Sequence, residues 1–386
     1  PIGEKGARLS ANVTIAGRLL VLVPNQRGVA LSRRIDDDAE RARLQAIVER
    51  LIANGENRFI TGAGYIVRTA AVGLGEDEIA EDAERLAEDW RALAMRKQAA
   101  RPPATIHYDL DPVERTLRDY VDGETVRVVL DCPQSFAAAK AYAKRAMPEA
   151  MPLLDCFPED EGRLFDVYGL EAQIEGLLKP RVPLRCGGWI TIETTEALTA
   201  IDVNSGSLTD TTGLEETSVR TNMDAAAEVG RQLRLRGIGG LVVIDFIHMN
   251  EPENIASVLQ TLAMGLGHDR TPTQISPMSE FGLVELTRKR TREPLMKFLT
   301  DPLEGTMGGR IKTVETVACE ALRAVEREAK ANPGRALTLH AAPDVVRWLE
   351  ERRPALNPAL ARRGVARLTT EPREGWLRTK FDVSVG

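Results

Sequence analysis

Residues 198–204 read LTAIDVN and residues 240–247 read GLVVIDFI. Each is an apolar run broken by one aspartate, Asp202 in the first and Asp245 in the second. Short runs rich in branched aliphatic residues predict strands. Working outward, residues 189–193 predict another strand ahead of them. Residues 215–236 predict a long helix between the two runs, closed by Gly237, and another helix starts near Glu251. Strand and helix signals that alternate in this way predict an α/β layer built on a buried sheet.

An aspartate inside a buried strand is costly unless charge or hydrogen bonds compensate it. Two readings follow. Each aspartate could be a structural residue paired with an arginine or capping a helix. Alternatively, two aspartates near the ends of neighbouring strands could hold one hard divalent cation, since Mg²⁺ takes one or two carboxylates plus waters. The presence of two in one segment favours the metal. So does Asn204, two residues after Asp202 and therefore on the same strand face.

The rest of the chain divides by its turn signals. The run 17–23 ends at Pro24 and Asn25 and predicts a strand and turn. Residues 36–38 cap a helix with Leu44, Ile47, Val48, Leu51 and Ile52 on one face, stopped by Gly55. A short strand at 65–67 runs into Arg68 and Thr69. A second helix carries Ile79, Leu86, Trp90 and Leu93, and Pro102-Pro103 marks the first boundary. Residues 104–188 mix helix and strand, with a helix starting at Asp111-Pro112, a strand at 126–130 and an alanine-rich helix. Residues 189–300 carry the alternating segment and residues 301–312 predict a linker. Residues 313–386 predict a small α/β unit whose first helix buries Val314, Val317, Ala321 and Val325. No internal repeat or low-complexity tract is present.

With 386 residues, 43% hydrophobic and 28% charged, the chain has the composition of an ordinary globular protein of more than one subdomain. No apolar run approaches the ~18 residues of a membrane span. The first residues, Pro1 to Gly6, lack a signal peptide's apolar core and an initiator Met, as expected of a fragment or processed form. Cys132, Cys156, Cys186 and Cys319 show no Cys-x-x-Cys spacing, which predicts reduced cysteines and a cytoplasmic protein. The net charge of -6 does not advertise a nucleic-acid binder. Basic residues still cluster at Arg231, Arg234 and Arg236, and at Arg288, Lys289, Arg290 and Arg292. Either cluster is a solvated face or a local phosphate-binding field that the global sum hides.

Residues 190–209 (ITIETTEALTAIDVNSGSLT) and 215–249 (EETSVRTNMDAAAEVGRQLRLRGIGGLVVIDFIHM) resemble the nuclease core of the ribonuclease E/G family. The resemblance implies a DNase I-like subdomain in which Asp202 and Asp245 hold a catalytic Mg²⁺, with Mn²⁺ as the alternative metal. It implies that Asn204 orients an aspartate or the scissile phosphate. Gly64-Tyr65-Ile66-Val67-Arg68-Thr69-Ala70 resembles the family's pocket for a 5′-monophosphate, with Arg68 and Thr69 as its ligands. The segment 281–290 (FGLVELTRKR) also resembles the family, and Arg288, Lys289 and Arg290 are candidate RNA-backbone contacts. His248 stands where the family often has Asp. Three residues from Asp245 on a strand, it should face away from the site.

Two departures qualify the resemblance. The family links two chains through a shared zinc held by Cys-Pro-x-Cys, whereas residues 301–312 contain neither Cys nor His. No zinc is expected, and assembly is expected to be a monomer or a homodimer held by packing. The family also carries an S1 domain, of which only the trailing edge around Lys5 would be present, with Lys5 a further candidate RNA contact. Aromatic residues are only 4% of the chain, which leaves little stacking surface for single-stranded RNA.

The resemblance thus implies an α/β, multi-subdomain endoribonuclease. Its parts would be a 5′-sensor-like domain (1–103), an RNase H-like portion (104–188), a DNase I-like core (189–300), a linker (301–312) and a small C-terminal domain (313–386). It would cut single-stranded RNA by a metal-activated water, leave 5′-phosphate and 3′-hydroxyl ends, prefer 5′-monophosphorylated substrates, and act in RNA processing or decay. Two alternatives stand beside it: an RNA-binding or ribosome-associated factor that has lost turnover, and a DNase or phosphodiesterase on the same core.

Overall fold

The computed structural model describes residues 10–54, 60, 62–158, 163–206, 214–267, 269, 271–303, 305–306 and 309–386. Lys5, Gly55 and Met307 lie outside the described residues. The chain forms two compact units, one ending at Glu171 and the other starting at Ala172. Both are mixed α/β.

The first unit opens with β1 (Ile15–Ala16), β2 (Leu20–Val23), β3 (Gly28–Leu31), helix α1 (Asp38–Ala53) and β4 (Gly64–Val67). The sheet order is β1-β2-β4-β3, with β4 antiparallel to β2 and parallel to β3. Asp37 starts α1 by accepting the Ala39 N–H, and its Leu44, Ile47 and Val48 are buried. Helix α2 (Glu76–Ala99) adds Ile79, Ala83 and Leu86 to the same core. Buried Asp82 of α2 accepts the backbone N–H of Leu19 and of Leu20, each at 2.9 Å. A Cβ on Gly17 would sit 2.6 Å from that carboxylate, so the turn into β2 needs a residue without one. The Arg68 N–H donates to the Leu19 carbonyl at 2.8 Å, so this lock also fixes the backbone leaving β4.

Among the described residues, four α-helices and two strands follow up to the unit boundary. They are α3 (Pro112–Tyr120), β5 (Val128–Leu130), α4 (Pro133–Ala146), β6 (Leu154–Cys156), α5 (Leu164–Val167) and α6 (Leu170–Leu177), the last of which straddles the boundary. β5 and β6 pair in parallel, and Leu117, Tyr142, Met147 and Leu154 form a separate buried cluster.

The second unit is built on β7 (Arg181–Pro183), β8 (Trp189–Thr194), β9 (Leu198–Asn204), α7 (Leu214–Arg236), β10 (Gly240–Asp245), α8 (Pro252–Gly267), β11 (Thr273–Ile275) and β12 (Leu283–Arg288). The sheet order is β11-β12-β10-β9-β8-β7; only the β9–β10 pairing is parallel. Ile201, Val203, Val242, Ile244, Val284 and Leu286 meet Ala226, Val229 and Leu233 of α7 and Val258 and Leu262 of α8 in one cluster. The two helices touch closely, because a Cβ on Gly230 would lie 2.8 Å from the Gly265 carbonyl carbon.

The sheet expected to be buried is covered on one face only. Burial alternates along β9 and β10, and Leu241 on the other face is 38% exposed. The apolar run 241–244 covers one face only. Its second face carries Leu241 and Val243 because branched aliphatic residues suit a strand even when half exposed.

Beyond the sheet lie α9 (Leu295–Leu299), β13 (Thr300–Pro302), β14 (Arg310–Lys312), α10 (Val314–Ala331), β15 (Ala336–Ala341), α11 (Pro343–Arg362), β16 (Arg367–Pro372) and β17 (Phe381–Val385). The two ends of the segment expected as a linker fall in β13 and β14, which pair antiparallel. The last elements bury Val317, Ala321, Val325, Leu337, Leu339 and Val345 in a core of their own. Among the described residues no helix is long and apolar enough to cross a membrane.

Candidate active site

Parallel pairing of β9 and β10 sets Asp245 directly opposite Asp202. Both are exposed on the face away from α7 and α8, so neither is a desolvated carboxylate as the apolar flanks implied. Paired residues on adjacent strands lie ~4.8 Å apart and point to the same side. The two carboxylates are therefore within reach of a single cation. Asn204, two residues on, donates its amide Nδ2 to Asp202 Oδ2 at 2.6 Å. That bond occupies one lone-pair region of Asp202 and holds its rotamer. The donor set, two exposed carboxylates and an amide with room for water, suits a hard octahedral cation such as Mg²⁺. Among the described residues no group of three or more His, Cys, Asp or Glu side chains forms a denser site.

The backbone around this pair is held by residues that the sequence reading passed over. Asn222 of α7 is fully buried; its amide donates to the Ile247 carbonyl at 2.7 Å and its Oδ1 accepts the Ile247 N–H at 3.0 Å. This clamp fixes the chain just after Asp245. Glu215, at the start of α7, accepts from the Asn250 N–H, the Asn250 amide, the Glu251 N–H and the Asn254 amide. These bonds, that of Asn254 foremost, hold the Glu215 carboxyl below its ordinary value. On the other side, a Cβ on Gly188 would lie 2.3 Å from the Asn204 carbonyl oxygen. The signal for Asn222 was legible: a polar residue within the buried stripe of α7 that carries Ala225, Ala226, Val229 and Leu233.

His248 is exposed, with Nε2 3.3 Å from Asn250 Oδ1. Strand β10 ends at Asp245, so His248 lies beyond it and strand alternation does not set its direction.

The basic candidates separate. Arg288 is 5% exposed and directed to the helix-covered side. It donates to Asp269 Oδ2 at 2.6 Å, to the Ile238 carbonyl at 2.6 Å and to Thr271 Oγ1 at 3.2 Å. This corrects its reading as a backbone contact: its donors are committed inside the fold. Lys289 and Arg290 are exposed, with Arg290 Nε donating to the Gly239 carbonyl at 3.1 Å. They follow the end of β12 that pairs with Gly240, whereas Leu283 at its other end pairs with Asp245. Five residues of strand, roughly 17 Å, separate the two ends. The structure therefore does not bring these basic residues to the carboxylate pair. In the other cluster, Arg236 is buried and bonded to Gln232 and to the Lys179 carbonyl, each at 2.7 Å.

Arg68 and Thr69 belong to the first unit, at the end of β4. Arg68 donates to the Gly17 carbonyl and, at 2.6 Å, to Asp119 of α3. Asp119 also takes a two-point contact from Arg118, at 2.9 Å on each oxygen. Burial works against ionisation of Asp119, but the two guanidiniums outweigh it and hold the carboxyl below its ordinary value. Asp109 joins the same network, 4.0 Å from Arg118 and 3.0 Å from Arg115, so three arginines stand against two aspartates. Thr69 begins the short 3-10 turn Thr69–Ala71 and is half-buried.

The Ribonuclease E/G family model matches residues 14–291. Ribonuclease G of Haemophilus influenzae is 36% identical over 387 residues, spanning 100% of this chain and 77% of the relative. Ribonuclease G of Escherichia coli K12 is 35% identical over 351 residues, spanning 91% and 70%. Ribonuclease E of a Nostoc species is 40% identical over 316 residues, spanning 81% of this chain but 45% of the relative. By the extent of the family match and the coverage of its relatives, this chain belongs to the Ribonuclease E/G family.

Proposed function

We propose that the chain is an endoribonuclease that hydrolyses single-stranded RNA in RNA processing or decay in the cytoplasm, with Mg²⁺ held between Asp202 and Asp245. The observation that carries this reading is the in-register pairing of these two exposed carboxylates on adjacent parallel strands, in a chain of a ribonuclease family. Bound there, the metal would supply an activated water and neutralise charge developing on the phosphate. Asp202 and Asp245 would hold it, and Asn204, which fixes Asp202, would orient that aspartate or the scissile phosphate. Asn222 and Glu215 keep the segment after Asp245 in place, so the carboxylates need not reorganise as charge develops. The family reading of the subdomains, as 5′-sensor-like, RNase H-like, DNase I-like and small C-terminal parts, is compatible with four separate hydrophobic clusters in that chain order.

The 5′-end preference would rest on Arg68 and Thr69. A terminal phosphate carries more charge than an internal one, and Arg68, in a network of three arginines and two aspartates, has a planar guanidinium to offer it. Arg68 would have to share or exchange its Asp119 contact. Turnover also separates this reading from a binding factor. Asp202→Asn or Asp245→Asn should abolish cleavage of a 5′-monophosphorylated oligoribonucleotide in Mg²⁺ while the fold and most RNA affinity persist. A near wild-type rate in either variant refutes the metal pair.

A further inference from the structure

Aromatic residues are 4% of the chain, yet two of them flank the strands of the carboxylate pair, Trp189 within the sheet and Phe281 in the turn before β12. Trp189 of β8 is the cross-strand partner of Asn204, on the open face one strand away from Asp202. The guanidinium of exposed Arg181, from β7, lies 3.6 Å from the centroid of the Trp189 ring. The indole therefore supports a planar cation rather than ending in solvent itself. On the opposite side, Leu283 of β12 pairs with Asp245. Phe281 stands two residues earlier, beyond the end of β10, and is 87% exposed. Gly282 between them takes a positive φ of 81°, and its N–H donates to the Ser279 carbonyl at 3.0 Å, which fixes the turn that presents Phe281.

A lone exposed apolar residue is ordinary on a protein surface. Position singles these two out. From Trp189 in β8 to the strand that Phe281 leads into is three strand spacings, roughly 14 Å, with β9 and β10 between them and their Asp202 and Asp245 two residues along from the Trp189–Asn204 pairing. An extended dinucleotide can bridge that length with its phosphate at the middle. Unpaired bases stack on aromatic rings and on arginine planes, and a base already stacked in a duplex cannot do so without opening.

We propose that the Arg181–Trp189 stack and the Phe281 ring seat the two nucleotides flanking the scissile phosphate, and that this face sets the chain's requirement for unpaired RNA at the cut. The proposal rests on the reading of Asp202 and Asp245 as the metal pair of an endoribonuclease. Arg181 and Phe281 are positioning residues for substrate, not part of the chemistry.

The test uses a 5′-monophosphorylated oligoribonucleotide with one cut site, and two analogues that each lack one base beside that site. Phe281→Ala and Arg181→Ala remove exposed side chains, and Trp189→Phe keeps an aromatic under Arg181. Each alanine variant should lower kcat/KM about tenfold or more on the intact substrate, mainly through KM. Each should then be indifferent to the missing base on its own side and remain sensitive to the other. Trp189→Phe should stay near wild type. Alanine variants that cut like wild type, or losses that multiply with both missing bases, overturn the proposal alone. A wild-type chain that leaves the intact substrate uncut in Mg²⁺ overturns the enzymatic reading, and this proposal with it.

Discussion

Replacing Arg288 with alanine should damage stability far more than RNA binding. Both side chains of the Arg288–Asp269 pair are 5% exposed, with a closest contact of 2.6 Å. Arg288 also satisfies the Ile238 carbonyl. Removing one partner of a buried pair leaves an uncompensated charge, which costs about 3–5 kcal/mol. In a unit of this size each kcal/mol moves Tm by roughly 2–4 °C, so a fall of about 10 °C is expected for Arg288→Ala. The pH dependence follows from Asp269. Burial tends to raise its carboxyl, but Arg288 and the Thr271 N–H hold it below the ordinary value. A lowered folded-state value gives stability that is present above the unfolded pKa, near 3.9, and is lost as pH falls through the folded one. Without Arg288 that support goes, and acid unfolding should begin at higher pH. Thermal melts across pH 3–7 measure both effects. Salt titration of RNA binding supplies the contrast: Lys289→Ala with Arg290→Ala should flatten the slope of log K against log salt, whereas Arg288→Ala in a folded sample should not. An Arg288→Ala chain that melts within about 2 °C of wild type but loses a full phosphate contact from its salt slope would refute the structural assignment.

Arg68→Ala should slow cleavage of 5′-monophosphorylated RNA toward the rate on 5′-hydroxyl RNA; equal wild-type rates on the two substrates would remove the end-sensing role. Gly188→Ala forces a Cβ to within 2.3 Å of the Asn204 carbonyl oxygen. Overpacking of this kind costs about 1–3 kcal/mol and should lower kcat more than RNA affinity, as activity and binding assays on the same sample would show. For assembly, residues 301–312 contain no Cys or His, so a zinc chelator should leave the mass from light scattering unchanged, and elemental analysis should find no stoichiometric zinc.

The sequence was most legible where periodicity and chemistry coincided. Alternation of strand and helix signals between residues 189 and 267 located β8, β9, α7, β10 and α8, and aspartates set in apolar runs drew the eye to Asp202 and Asp245. Register was not legible: nothing in either run says that Asp245 pairs with Asp202, because pairing depends on how α7 returns the chain to the sheet. Which faces are buried was misread for the same reason. Val243 and Leu241 look like core residues in a string, yet they share the open face with Asp245. Arg288 was misread through resemblance and local charge. A run of Thr-Arg-Lys-Arg looks like one basic patch, but strand alternation sends Arg288 inward with Leu286 and Val284 while Lys289 and Arg290 remain exposed.

One-sided coverage of the sheet has a functional consequence. Were helices packed on both faces, Asp202 and Asp245 would be desolvated and would need a permanent countercharge, such as an arginine, that would compete with a metal. With α7 and α8 on one face, the carboxylates stay hydrated, and Asn204 is the neutral group that steadies Asp202 without lowering its charge. The same open face is a row of strands spaced ~4.8 Å apart. A flexible polymer laid across those strands meets Trp189, Asp202, Asp245 and the approach to Phe281 in succession. Acidic net charge need be no obstacle to such a substrate, because on the proposed path phosphate would meet a neutral amide, an aromatic–arginine stack and a carboxylate pair whose charge a divalent cation would cancel. Local arrangement, not the sum over the chain, decides whether RNA can lie there.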